Sequence, residues 1–273
     1  MKKRASPTSE RSSFSFYRAH LHRGGLGIRE MRRLLEAYAQ SGSWDTLRRE
    51  ALTANLLGKT SSHQVRDLLN AFRRRFLSEP NLPPAPLVGQ FIHSPLPEAA
   101  KLQVLLPYYL LTDLLVERCY RDLVLSRLSD GPTELPPPAV WAHLESLGEE
   151  HPELRRWSPA LRERWVCGFR TLLRKFGLMD RPPSSRLRRP MLLPEPFGFY
   201  WLWLWERFGS FREAEAADLW SLYLLDVAQR ERLLGEGQVR GWWTYQRLGS
   251  IVQFHATYDL KGWLRHGLDR GHA

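Results

Sequence analysis

The chain has 273 residues, with 40 Lys and Arg against 29 Asp and Glu, a formal net charge of +11. At about 100–200 residues per module this length predicts two or three modules. A hydrophobic fraction of 43%, with eleven Trp and twelve Phe, supplies an aromatic-rich core. The charge predicts a polyanionic partner: nucleic acid first, an acidic membrane or an acidic protein second. Two cysteines, Cys119 and Cys167, exclude a disulfide framework and a CxxC pair, which fits a reducing cytosol. No stretch reaches the roughly 18 uncharged apolar residues of a membrane span. Leu102–Val116 is interrupted by Gln103, Pro107 and Asp113, and Phe197–Trp205 is too short.

The positive charge is unevenly placed. Residues 1–80 hold 16 basic and 7 acidic side chains, and residues 151–190 hold 11 and 3. Between them, residues 81–150 hold 4 and 9, and the C-terminal residues 191–273 hold 9 and 10. Two basic blocks are therefore separated by an acidic one.

The opening MKKRASPTSERSS is polar and basic, with no apolar stretch behind it, which predicts a mobile basic arm over 1–25 rather than a secretory signal. A first module follows over 26–80. Met31, Leu34, Leu35 and Tyr38 repeat at helical spacing and predict a helix over Ile28–Gln40, closed by Gly42. Ser43 is placed to cap a second helix over Trp44–Leu57, with Trp44, Leu47, Ala51 and Leu52 facing inward. After Gly58, Ser61 and Gln64 fit a capping box opening a third helix, whose apolar stripe is Val65, Leu68, Leu69, Phe72 and Phe76. The opposite face carries His63, Arg66, Asn70, Arg73 and Arg74, with Ser61 and Ser62 at its start. Two helices, a short turn and an amphipathic basic helix form the order of a helix-turn-helix, whose last helix enters the major groove. Arg and Asn there match the donor and acceptor pattern of guanine and adenine edges.

Residues 80–96 are rich in proline and read as an irregular connection. Pro97–Leu128 reads as one long, apolar central helix with a bend at Pro107. It opens a second module, 97–195. After a short helix over Ala139–Glu149, Ser158 and Pro159 start a helix running to Phe176. Leu161, Trp165, Phe169, Leu172, Leu173 and Phe176 form its inward stripe. Arg162, Arg164, Arg170, Arg174 and Lys175 lie off that stripe, and the basic, turn-rich stretch behind it holds Arg186, Arg188 and Arg189. A basic helix followed by a basic loop suits a winged helix, whose wing touches phosphates.

The last module, 196–273, is nearly neutral. Phe197–Phe208 is an aromatic helix, Ser210 a cap, Asp226–Leu234 a further helix, and two β-rich runs flank Leu248-Gly249-Ser250 as a hairpin. This third predicts packing against protein rather than DNA. Trp201, Trp203 and Trp205 raise the question of base stacking, but their alternate spacing does not put all three on one helix face. The nine histidines form no HExxH or zinc-spaced cluster, and Gly24-Gly25-Leu26-Gly27 lacks the strand and Lys-Ser/Thr of a phosphate loop. These absences predict no catalysis and no cofactor. The fold expected is mainly α: tandem helix-turn-helix and winged-helix-like modules joined by a long central helix, with short β-hairpin wings.

The stretch REMRRLLEAYAQSGSWDTLRREALTANLLGKTSSHQVRDLLNAFRRRF resembles the BrxA family of BREX phage-defence systems: Trp44 opens the second helix, Asn55 to Ser62 form the turn, and an Arg-rich third helix follows. WSPALRERWVCGFRTLLRKFGLMD is similar to a second helical signature of that family. The resemblance implies an accessory, non-enzymatic protein that binds double-stranded DNA and works beside other BREX components. The cysteine usage and hydropathy predict a cytoplasmic location, and a homo-oligomer stays an open option. Some relatives carry an inner-membrane label, which the hydropathy here contradicts. A likeness between the family and the antitermination protein NusB keeps an RNA-binding adaptor as the alternative, alongside a protein–protein adaptor without nucleic acid.

Overall fold

The computed structural model describes residues 17–22, 27–79, 81–130, 133–249 and 251–268. Most of the arm expected over 1–25 thus lies outside the described residues. The described chain is mainly helical and carries one two-stranded antiparallel hairpin.

After a helical turn at His20–His22 come α1 (Ile28–Ser41), α2 (Trp44–Thr53) and α3 (Ser62–Phe72). Ser43 accepts from Thr46 N–H at 3.3 Å and Ser61 from Gln64 N–H at 3.4 Å, so both caps form at the expected residues. The reciprocal capping box is instead made by Asp226 and Gln229. α2 stops at Thr53 rather than Leu57. Asn55 and Gly58 both adopt left-handed φ values, 49° and 63°, which a right-handed helix cannot continue. Leu52, expected inside, is exposed in this short helix.

Residues 80–96 do not form an irregular connection. α4 (Ala85–His93) is a buried helix, with Leu87, Val88, Phe91 and Ile92 in the core. Pro84 and Pro86 stand at its start, where no backbone donor is needed. A Cβ on Gly89 would come within 2.6 Å of the Leu35 carbonyl oxygen, so only glycine lets α4 lie this close to α1.

The expected long central helix is two helices. α5 (Glu98–Leu110) and the run Leu114–Ser129 meet at 111°. Pro107 sits inside α5 without ending it. The break lies at 111–113, where the Thr112 hydroxyl donates back to Tyr108 O at 2.6 Å and the Asp113 carboxylate caps the new helix by accepting from Val116 N–H. That second run comprises α6 (Leu114–Cys119), a wide turn at Tyr120–Leu125 and α7 (Ser126–Asp130).

α8 (Pro137–Glu150), α9 (Pro152–Arg155) and α10 (Pro159–Lys175) follow, α10 capped by Ser158 as expected. Three short extended stretches then lie side by side. Leu135 N–H donates to Ser185 O and Leu187 N–H to Thr133 O. Asp180 N–H donates to Arg186 O and Arg188 N–H to Leu178 O. Their spatial order is 133–135, 185–187, 178–180.

The C-terminal third holds α11 (Pro194–Phe208), α12 (Phe211–Glu215), α13 (Val227–Val239), the hairpin β1 (Trp243–Leu248) and β2 (Ile251–Ala256), and α14 (Leu260–Gly262). Its core is a cluster of aromatic rings: Trp201, Trp220, Trp242, Trp243 and Trp263 are fully buried. A Cβ on Gly237 would meet the Trp243 ring at 2.0 Å. Trp201 therefore has no face for a base, and Trp203 and Trp205 are half-buried.

Candidate nucleic-acid interface

The outward row of α3 stands as the helical spacing predicts. Ser62, His63, Arg66, Asn70 and Arg73 are exposed, and the opposite stripe is buried from Val65 to Phe76. His63 lies 3.3 Å from Asp67, one turn on. The Arg73 guanidinium lies 5.9 Å from the Trp44 ring centroid, a cation–π contact that ties α3 to α2. Ser61, half-buried, is committed to its cap.

Arg74 departs from that row. α3 widens into a π-helical turn at Arg73–Leu77, which rotates the backbone and turns Arg74 and Arg75 inward. Arg74 contacts His20 Nδ1 at 3.3 Å, and Arg75 is buried with its guanidinium 4.0 Å from the Tyr109 ring centroid. Burial lowers the pKa of Arg74, and the nearby Arg75 and Arg18 add to this while Asp113 opposes it. Burial raises the Asp113 carboxyl, partly offset by the cap and by Arg74 and Arg75.

In the second basic block, three arginines expected on an outward face are spent within the fold. Arg162 donates to the carbonyls of Leu154 and Arg155, fixing α9 to α10. Arg170 donates to Ser185 Oγ at 2.7 Å, and Arg174 to the carbonyls of Asp180 and Ser184 at 3.1 and 3.4 Å. These two bind the basic loop to α10. Helical spacing places a residue on a face but does not reveal that a loop folds back over it. Lys175, Arg186, Arg188 and Arg189 are exposed. Arg188 pairs with Asp180, and Arg189 reaches Leu224 O at 3.2 Å.

Other exposed arginines extend the same surfaces: Arg155 and Arg156 at the end of α9, Arg164 in the second turn of α10, Arg181 in the loop, and Arg48 and Arg49 on α2. Arg155 and Arg156 stand three and two residues before the Ser158 cap, which was the signal available for them.

The two basic blocks meet. A cleft of about 620 Å³ is lined by Arg29, Arg32 and Arg33 of α1, Glu98 and Leu102 of α5, and Thr171 and Lys175 of α10. Within it Arg32 forms a two-point ion pair with Glu98 at 2.6 and 2.7 Å, and Glu30 pairs with Lys59. The segment 17–22 bridges both modules as well. Tyr17 N–H donates to Glu153 at 3.0 Å, Leu21 packs on Gly168, and His20 meets Arg74. Among the described residues no group of three or more His, Cys, Asp or Glu could hold a metal ion. Nor is any single helix there long and apolar enough to cross a membrane.

The family model described as BrxA matches residues 15–199. The chain belongs to the BrxA family. The match covers all of the second basic block and the first from residue 15, and ends within α11, so most of the aromatic C-terminal third lies beyond it. No curated protein matches the sequence. A crystal structure of an uncharacterized protein from Magnetospirillum magneticum is similar in fold, with a TM-score of 0.57 at 14% identity, over 74% of this chain and 97% of that one. BrxA membership links the chain to BREX systems.

Proposed function

We propose that this BrxA-family chain is a non-enzymatic accessory protein of a BREX phage-defence system that binds double-stranded DNA in the cytoplasm. The observation that carries the reading is α3. Its Ser62, His63, Arg66, Asn70 and Arg73 form one solvent-facing row, and Arg66 makes no ion pair among the described residues. A helix of this kind at the end of a three-helix unit suits major-groove entry, although the connection before it, 54–61, is longer than the three or four residues of the usual helix-turn-helix turn.

The second module supports the same reading. Its order is helix (α6–α7), extended stretch 133–135, helix (α8), one-turn helix (α9), helix (α10), extended stretch 178–180, loop, extended stretch 185–187, with the last stretch bridged to the other two. That is the order of a winged helix, with α10 as recognition helix and 181–184 as wing tip. Arg181 and Arg186 on the wing, Arg155 and Arg156 at the end of α9 and Arg164 on α10 are placed for phosphate contacts. Arg170 and Arg174 position the wing rather than touch DNA.

Direct competition tests the reading. The wild type and the double variant Arg66→Glu/Arg73→Glu are titrated with duplex DNA, with single-stranded and structured RNA as competitors. Duplex DNA wins for the wild type, and the double variant loses at least tenfold in affinity. Preference for RNA would favour an antitermination-like adaptor. No binding to either nucleic acid would leave a protein adaptor.

A further inference from the structure

β2 is an edge strand without the devices that usually protect an edge. Thr257 N–H donates to Trp242 O at 3.0 Å, and the register pairs Trp243 with Ala256. Ladder alternation then directs the amides and carbonyls of Ile251, Gln253 and His255 into the hairpin and those of Val252, Phe254 and Ala256 outward. On β1 the corresponding outward row is partly engaged, since Tyr245 N–H donates to Gln238 Oε1. On β2, among the described residues, no group hydrogen-bonds that outward row. The strand IVQFHA contains no Lys, Arg, Asp, Glu or Pro. Its solvent face is equally uncharged: Gln253 lies opposite Gln246, and Ile251 and Leu248 at the tip are 65% and 81% exposed.

Charge selects what pairs with this edge. Two copies of a +11 chain repel through residues 1–80 and 151–190, where the excess lies. Residues 191–273, with 9 basic and 10 acidic side chains, are where like copies can meet without that cost. β2 is also self-complementary. About a twofold axis at Phe254, Val252 of one copy faces Ala256 of the other and Gln253 faces His255, so every outward amide and carbonyl is paired and no Lys, Arg, Asp or Glu is opposed. We infer that two copies of this chain associate through antiparallel pairing of their β2 strands, joining the two hairpins into one four-stranded sheet.

This inference is independent of the DNA reading, and its test uses no nucleic acid. Sedimentation velocity on the full chain across micromolar concentrations shows a monomer–dimer equilibrium. Hydrogen exchange at the Val252, Phe254 and Ala256 amides slows as concentration rises. Gln253→Lys, which sets like charges near the axis, weakens association at least tenfold. Gln246→Lys, on the same face but one strand further from the axis, leaves it within about twofold. Near-ultraviolet circular dichroism of the Trp cluster confirms that both variants are folded. A chain that stays monomeric throughout overturns the inference. So does a dimer whose β2 amides exchange as in the monomer, or one weakened equally by both lysine variants.

Discussion

Arg170 on α10 donates a 2.7 Å hydrogen bond to the hydroxyl of Ser185, fifteen residues on in the basic loop. With Arg174 bound to the Asp180 and Ser184 carbonyls, it makes helix and loop one rigid basic surface. A side chain that reads as a phosphate contact in sequence serves here to hold the loop that carries Arg181 and Arg186. Arg170→Ala is expected to destabilise the fold by about 1.5–3 kcal/mol, the net worth of a hydrogen bond from a charged group. Thermal unfolding measures that loss. Amide exchange of the 181–186 loop rises in this variant and stays unchanged in Arg186→Ala.

The two arginines Arg73 and Arg74 are adjacent in sequence and opposite in role. Arg66→Glu/Arg73→Glu alters exposed side chains, loses the Arg73–Trp44 cation–π contact and is expected to cost no more than about 1 kcal/mol. Arg74→Glu sets a second acid near buried Asp113 and is expected to cost about 3 kcal/mol or more. Urea titrations of the two variants separate a surface effect from a core effect.

Gly89→Ala forces a methyl group against the Leu35 carbonyl and the Ala39 side chain, at 2.6 and 2.7 Å. Overpacking of this kind costs about 1–3 kcal/mol. The denaturation midpoint falls while α3 and α10 keep their exposed arginines, so any residual duplex affinity of the folded fraction is unchanged.

His143 is half-buried between α8 and the α6–α7 run, 3.3 Å from Asp122 and near Arg118 and Arg127. Burial lowers its pKa below 6.5, with the two arginines adding to this and Asp122 opposing. As pH falls through 6.5 the unfolded chain takes up a proton that the folded chain resists, so this stability is present above 6.5 and is lost below it. His143→Gln is expected to flatten the fall in unfolding free energy between pH 7 and pH 5. An unchanged profile would exclude His143 as the group responsible.

The capping serines, the apolar stripes and the hairpin were legible because each rests on local chemistry. Ser43, Ser61 and Ser158 act within three residues of themselves. The helix Ala85–His93 was hidden by flanking prolines that signal a loop, although its apolar residues needed only a neighbour to bury them. Pro107 drew attention from the true break, which Thr112 and Asp113 make by side-chain bonding inside an apolar run. The inward turn of Arg74 came from a wide helical turn that periodicity at 3.6 residues does not anticipate. The internal duties of Arg162, Arg170 and Arg174 depend on segments that fold back from elsewhere.

The most direct test of the central claim is the affinity of the full chain for duplex DNA across a series of salt concentrations. The account predicts binding at low salt, with the logarithm of the association constant falling linearly with the logarithm of salt concentration. The slope is about 0.9 per phosphate contact, and it flattens when Arg66 and Arg73 are reversed. Absence of binding at low salt, or an affinity indifferent to salt, would contradict it.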